Sequence, residues 1–167
     1  PKVHKEGPLK LRFIVPSISF VTYKSSKFIH TTLFPLLNIF HSIVNNSTNL
    51  IKHLDLNDSL RPDVVLSSAD IISLYPSIPL KECLVRIASI LSTHRSNSPL
   101  DNQFLISILK FVLYNNFICF KGKTYLQLHG IAMGTPCAIV VSGLFLCHLE
   151  SEFNQHFRHS ALKPLIY

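Results

Sequence analysis

The chain has few acidic residues and few charges of either sign. Asp and Glu number 9 against 16 Lys and Arg, which gives a formal net charge of +7, and charged residues are 15% of the chain against 47% hydrophobic residues. So little charge and so much apolar content exclude a disordered chain and indicate a densely packed core. The 167 residues suffice for one domain, or for a large piece of one. The excess of basic residues favours a polyanionic partner such as nucleic acid.

Several signatures of common sites are absent. The four cysteines have no paired zinc-type spacing and stand among apolar neighbours, which predicts free buried thiols in a reducing compartment (Cys83, Cys119, Cys137 and Cys147). The sequence contains no nucleophile elbow, phosphate-binding loop or dinucleotide fingerprint. It also contains no internal repeat and no low-complexity segment. These absences argue against a zinc module, a serine hydrolase of the elbow type and a nucleotide-binding α/β domain.

The chain also lacks a solid apolar span of the length that a bilayer requires. Residues 28–51 and 124–149 contain no Asp, Glu, Lys or Arg, but the first stretch includes Pro35 and several asparagines. The second includes three glycines and Pro136. A transmembrane helix needs about 20 consecutive apolar residues, so we expect no membrane-spanning segment.

The spacing of apolar residues predicts a helix-rich α+β chain. Apolar residues recur every three or four positions in several segments, and a Lys-Gly-Lys turn joins two short strand-like runs. Pro35 predicts a kink in the first helix, and Ser47 predicts the N-cap of a short second helix. The predicted elements are helices over 22–44, 47–54, 80–91 and 100–114, a strand over 64–69, a hairpin around 121–123, and a long helix from Pro136 to about residue 157.

One acid stands in an unusual place, at the end of the apolar strand predicted before SSADIISLYPSIP. Asp70 follows that strand directly, and Tyr75 comes five positions later. Phosphoryl transfer uses metal ions held roughly 3.5–4 Å apart by carboxylates, and Asp70 with the Ile71 carbonyl would supply half of such a site. The alternative is a helix-capping Asp70 beside a core Tyr75. The residues of this segment alone leave both interpretations open.

Three blocks in order resemble the reverse transcriptases of Penelope-like retroelements, which are related to telomerase. The blocks are PKVHK with LRFIV, then SSADIISLYPSIP, then HGIAMGTPCAIVVSGLFLCHLE. The resemblance implies an incomplete right-hand polymerase fold of fingers and palm, helix-rich with a small antiparallel palm sheet. It implies one partial domain, with a fingers-side segment (1–62), a palm strand (63–79), connecting helices and a hairpin (80–129), and a palm loop and helix (130–167).

The resemblance also implies roles for the matching residues. Asp70 corresponds to the first catalytic aspartate, which binds two Mg²⁺ ions, with Mn²⁺ as an alternative, and Ile71 lends its carbonyl. Tyr75 corresponds to the residue that packs under the deoxyribose and rejects a 2′-hydroxyl. Arg12 corresponds to the fingers arginine that binds the triphosphate, although Phe13 stands where the family usually has proline. A bidentate guanidinium suits that task.

Further residues of the first and third blocks correspond to nucleic-acid and nucleotide contacts. Met133 and Gly134 match the loop that packs against the nucleotide and the templating base. Template and primer contacts are implied for Lys2, Lys5, Thr135 and Pro136. The implied partners are an RNA template, a DNA primer and a deoxynucleoside triphosphate, and the implied location is intracellular, in the nucleus.

The sequence departs from the family in lacking the Tyr-x-Asp-Asp block that completes the metal site. LKPLIY lies where the strand leading to that block should begin, so we expect the remaining palm and the thumb to follow in a longer parent protein. The 167 residues alone are therefore predicted to be inactive. Glu152, His156 and His159 have a helical spacing that can bind metal, but a solvated helix end explains it better. The alternative function is a non-catalytic nucleic-acid-binding remnant of a retroelement.

Overall fold

A computed structural model describes residues 14–15, 17–40, 42–44, 46–55, 68–95 and 100–156. The described residues form six α-helices, one 3₁₀ helix and one antiparallel pair of strands. In chain order these are α1 (Tyr23–Leu33), the 3₁₀ helix (Phe34–Ile39), α2 (Ser47–Asp55), α3 (Leu74–Ser77), α4 (Leu80–His94), α5 (Asn102–Tyr114), β1 (Phe117–Phe120), β2 (Lys123–Leu126) and α6 (Ala138–His156). The predicted helix-rich α+β class with a small antiparallel sheet is confirmed.

The core lies where α1, α4, α5 and α6 pack against one another. On α4 the buried residues Cys83, Ile87, Ile90 and Leu91 follow the helical period, so one apolar face meets α5 and α6. Helix α6 buries side chains around most of its circumference, as expected of a helix enclosed by its neighbours. These apolar faces were the basis of the predicted helices, and the predictions over 80–91 and 100–114 are confirmed.

Prolines and polar caps set where several helices begin. The helix predicted over 22–44 changes at Phe34 from α to 3₁₀ geometry, with Pro35 in the first turn of the 3₁₀ helix. Helix α5 begins after Asp101, whose carboxylate accepts a hydrogen bond from the Gln103 N–H at 2.8 Å. Proline therefore breaks the first helix where the sequence predicted a kink.

Two predicted helix starts are wrong by one or two residues. Ser47 is the first residue of α2, and the side chain of Asn46 caps the helix by accepting from the Asn49 N–H at 2.8 Å. Pro136 lies two residues before α6, which begins at Ala138, so the proline belongs to the preceding turn. At each start a preceding residue accepts from one N–H of the first turn: Asn46 from Asn49 in α2, and the Thr135 carbonyl from Ala138 in α6.

The hairpin is confirmed, but the predicted strand over 64–69 is not observed in its described part. Strands β1 and β2 pair Phe117 with Leu126 and Phe120 with Lys123. Ser68 and Ala69 lie in irregular backbone, and residues 64–67 lie outside the described residues.

Arg86 on α4 forms the main polar link between α4 and α6. Its guanidinium donates to Glu82 on its own helix, and to Glu152 and the Nδ1 atom of His148 on α6. The same group lies 5.7 Å from the ring centroid of Phe145. Glu152 therefore takes part in an interhelix ion pair, and its side chain is 53% exposed near the end of α6, which agrees with the predicted solvated helix end.

The described cysteines and helices bear on two other predictions. Cys83, Cys137 and Cys147 are free and buried, but Cys119 on the hairpin is exposed, so the prediction of four buried thiols is wrong for one. Burial raises the pKa of the Cys83 thiol to about 12. Within the described ranges, no helix is both long enough and apolar enough to cross a bilayer.

Candidate functional site

The loop over 130–136 is held on one side by the turn that contains Tyr75 and Pro76. The Ile131 N–H donates to the Tyr75 carbonyl at 2.8 Å. Gly130 has φ +71°, and a Cβ at this position would lie 2.4 Å from the Pro76 Cα atom and 2.6 Å from the Tyr75 carbonyl oxygen. Only glycine allows the two backbones to approach so closely.

On its other side the loop contacts Ile14, Val15 and Ser17. The Val15 N–H donates to the Met133 carbonyl at 2.7 Å, within a parallel bridge between Ile14 and Met133. Gly134 has φ +103°, and a Cβ there would lie 2.4 Å from the Val15 carbonyl oxygen. The Ser17 hydroxyl donates to the Gly134 carbonyl at 2.8 Å. Hydrogen bonds to backbone carbonyls of the loop thus join it to residues more than 100 positions earlier in the chain.

Buried hydroxyl groups fix the interior of the loop. The Thr135 hydroxyl donates to the Ala132 carbonyl at 3.0 Å, and Ser26 on α1 accepts from the Cys137 N–H at 3.0 Å. Thr135 is only 6% exposed. Its predicted contact with template or primer does not fit this burial, because the side chain faces the loop interior. Thr135 instead stabilises the loop, and the neighbouring Pro136 is half-buried.

Asp70 precedes the Tyr75 turn in an exposed, irregular segment. Ser73 adopts a left-handed conformation with φ +55° and occupies the N-cap position of α3, so Asp70 does not cap that helix. The capping interpretation of Asp70 is therefore wrong. The Asp70 side chain is exposed, and Ile71 is also exposed. A carboxylate in this position is accessible to a ligand from solvent.

Tyr75 joins the exposed segment to the core. Its side chain is half-buried and packs against the core, and its carbonyl accepts the hydrogen bond from Ile131. Packing against the core therefore positions the Tyr75 ring, and the hydrogen bond from Ile131 positions its backbone.

Asp70 and Ile71 offer oxygen atoms of the type that binds magnesium, but too few of them for a complete site. Mg²⁺ prefers carboxylate, carbonyl and water oxygens, which Asp70 and the Ile71 carbonyl could provide. The described residues contain no group of three or more His, Cys, Asp or Glu side chains that could hold a metal ion. At most, Asp70 and Ile71 could supply part of a ligand set.

Some predicted site residues have no structural description, and some described ones were not predicted. Lys2, Lys5 and Arg12 lie outside the described residues. Ser17 and Ser26, which hold the loop through their hydroxyl groups, were not predicted from sequence. Neither serine carries a local signal of its partner, because both contacts join residues more than 100 positions apart.

Comparisons of the chain with protein-family models, curated proteins and solved structures found no match.

Proposed function

We propose that this chain is the fingers and palm portion of an RNA-directed DNA polymerase, as its resemblance to the reverse transcriptases of Penelope-like retroelements implies. One observation carries the proposal. Three blocks far apart in sequence meet at the loop over 130–136, which bonds to Val15 of the first block and to Tyr75 of the second. Sequence blocks that form one site are expected to contact one another in the fold. Unrelated surface motifs would have no reason to do so.

The glycines of the loop strengthen this proposal. Both Gly130 and Gly134 lie against the backbone of another block, at distances that any side chain would prevent. A glycine placed only for turn flexibility, such as Gly122, has nothing within 4 Å of its Cβ position. The two loop glycines are therefore required by the contact between the blocks, and that contact places Met133 and Gly134 beside the first block.

In the proposed reaction the chain's residues bind and orient the incoming nucleotide and the primer end. The exposed Asp70 carboxylate and the Ile71 carbonyl would bind magnesium. Magnesium held by these oxygens would help to activate the attacking oxygen and to stabilise the leaving one. Tyr75 would contact the deoxyribose, since a fixed aromatic ring leaves no room for a 2′-hydroxyl. Met133 and Gly134 would pack against the nucleotide and the templating base.

Charge supports a nucleic-acid partner in a more general way. The formal net charge of +7 favours polyanions, and residues 102–149 contain three lysines and no Asp or Glu. This feature also fits the non-catalytic alternative, a remnant that binds nucleic acid without synthesis. Activity rather than binding therefore separates the two functions.

Primer extension tests the proposal. The protein encoded by the natural reading frame that contains these residues is expressed. It is then mixed with a DNA primer on an RNA template, deoxynucleoside triphosphates and Mg²⁺. We expect template-directed extension, and we expect none from the 167 residues alone because they lack the Tyr-x-Asp-Asp acids. Binding without extension by the complete product would support the non-catalytic alternative and contradict the polymerase proposal.

A further inference from the structure

The hairpin formed by β1 and β2 extends into solvent. Its two turn residues, Lys121 and Gly122, have φ +49° and +73°, the signs that a two-residue type I′ turn requires. All four residues of β2 are exposed, and a Cβ on Gly122 would have no neighbour within 4 Å. The outer part of the hairpin is therefore accessible to a partner.

One face of the hairpin combines aromatic rings with lysines. The pairs Ile118 with Tyr125 and Phe120 with Lys123 share this face, because directly opposed residues of a strand pair point the same way. Phe120 is 57% exposed and Tyr125 is 50% exposed. The Lys121 ammonium lies 5.5 Å from the centroid of the Phe120 ring. This face thus carries two exposed rings and Lys123, with the Lys121 ammonium close to one of the rings.

The charge of this region restricts the kind of partner. Residues 102–149 include no acidic side chain, so nothing on the hairpin itself neutralises Lys121 and Lys123. A basic partner, including the same hairpin of a second copy, would be repelled. Single-stranded nucleic acid fits both features, since its phosphates pair with lysines and its bases stack on aromatic rings.

The hairpin is anchored to the candidate site. On its opposite face Phe117 stacks on Phe20, with ring centroids 5.9 Å apart. The Gln127 side chain donates to the carbonyls of His129 and Gly130, at 2.9 and 3.3 Å, where the loop over 130–136 begins. The hairpin is thus directly attached to the loop that joins the three blocks.

We propose that this hairpin binds a single strand of nucleic acid, with bases stacked on Phe120 and Tyr125 and phosphates paired with Lys121 and Lys123. The identity of the strand as the RNA template rests on the proposed function. The binding itself needs neither metal nor synthesis.

Fluorescence anisotropy with a labelled, unstructured single-stranded RNA of about 15 nucleotides tests this binding on the 167-residue chain, without Mg²⁺. One variant combines Phe120→Ala with Tyr125→Ala, and a second combines Lys121→Gln with Lys123→Gln. The aromatic variant should bind at least about fivefold more weakly. The lysine variant should lower the slope of log affinity against log salt by about 1.4, because two phosphate contacts are lost.

Matched controls use exposed residues elsewhere. Phe104→Ala removes a ring that is 51% exposed, and Lys27→Gln with Lys52→Gln removes two charges from exposed positions on α1 and α2. Both controls should bind RNA as the wild type does. The thermal unfolding midpoint of every variant is compared with that of the wild type. The hairpin variant with Lys121→Gln and Lys123→Gln is expected to keep the wild-type midpoint, because both side chains are exposed.

Three results would overturn the inference. They are wild-type RNA affinity in both hairpin variants, a loss of RNA affinity in the controls as large as in the hairpin variants, or no RNA binding by the wild-type chain. Binding to phosphatidylserine-containing vesicles but not to RNA, or self-association lost in the hairpin variants with RNA binding intact, would contradict it as well. The polymerase proposal is tested separately by primer extension. It fails if the protein encoded by the complete reading frame does not extend the primer. An inactive protein that still lost RNA affinity in the hairpin variants would support the hairpin and not the polymerase.

Discussion

Gly130 and Gly134 are the residues on which the meeting of the three blocks depends. Replacing either by alanine adds a methyl group 2.4 Å from the backbone of another block, at a positive φ. Left-handed strain and overpacking together should cost at least about 2 kcal/mol in the free energy of unfolding. Urea denaturation of Gly130→Ala and Gly134→Ala measures this loss.

Gly122→Ala is the matched control for these variants. It shares the positive φ of the loop glycines, but its Cβ would meet nothing. It should therefore cost only about 1 kcal/mol, from backbone strain alone. Equal losses at all three glycines would show that close backbone approach does not hold the loop.

Tyr75 is expected to exclude ribonucleotides through its ring and not through its hydroxyl. In the complete reading frame, Tyr75→Ala should raise the incorporation of ribonucleotides relative to deoxyribonucleotides by about 10- to 100-fold. Tyr75→Phe keeps the ring that packs on the core and should keep the discrimination. Competitive incorporation assays measure both ratios, and a change in Tyr75→Phe equal to that in Tyr75→Ala would remove the ring from this role.

At the residue scale, sequence alone suggested candidate positions but not the orientation of their side chains. Gly134 was a candidate only through the resemblance of the third block, and the close approach of Gly130 to Pro76 was not predicted. The burial of Thr135 was not predictable, since its orientation depends on the packing of the loop against α1. The capping alternative for Asp70 failed because Ser73, in a left-handed conformation, occupies the N-cap position of α3 instead.

The N-terminus of α2 depends on Asn46. Asn46→Ala removes the acceptor for the Asn49 N–H, a change that costs typically about 1 kcal/mol of helix stability. Amide hydrogen exchange at Asn49 should accelerate about fivefold. Ser47→Ala, one residue later inside the helix, should leave this exchange rate nearly unchanged. An acceleration in Ser47→Ala alone would restore Ser47 as the cap.

The ion pair between α4 and α6 should make stability depend on pH in the acidic range. The hydrogen bond from Arg86 lowers the pKa of Glu152 below its usual value of 4.5. A lowered folded-state pKa stabilises the protein above the unfolded value, and this contribution disappears as pH falls through the folded value. Glu152→Gln should therefore be less stable than the wild type at about pH 7, and the difference should shrink below about pH 4.5.

Glu150→Gln serves as the control for that experiment. Glu150 lies on the same helix and forms no ion pair among residues 100–156 and the other described ranges. Urea denaturation at about pH 7 and about pH 3.5 compares the two variants with the wild type. A pH-independent loss in Glu152→Gln would assign its effect to packing instead of charge.

At the element scale, apolar periodicity predicted the helices well, whereas the strand predicted over 64–69 lies mostly outside the described residues. The faces of α4 and α5 repeat every three or four residues, so their sequences specify them locally. A short apolar run such as 64–69 has no such repeat, and the same pattern suits a strand or an irregular segment. The link from Arg86 to Glu152 joins residues 66 positions apart and depends on the packing of α4 against α6.

The whole molecule combines a helical core with a basic hairpin and a loop where three blocks meet. Its composition predicted the core and the sign of the charge, because both are sums over many residues. The contact of the three blocks was not predictable from periodicity. It depends on backbone hydrogen bonds between residues 56 and 118 positions apart, from Ile131 to Tyr75 and from Val15 to Met133.

The central claim, that Asp70 belongs to a polymerase site, is tested most directly by primer extension with Asp70→Asn in the complete reading frame. Asp101→Asn is the matched control, since it removes one exposed negative charge and asparagine caps a helix as well as aspartate does. We predict that Asp70→Asn lowers primer extension by more than about 100-fold and leaves RNA affinity near that of the wild type. Asp101→Asn should keep near wild-type extension. Undiminished synthesis by Asp70→Asn would contradict the claim.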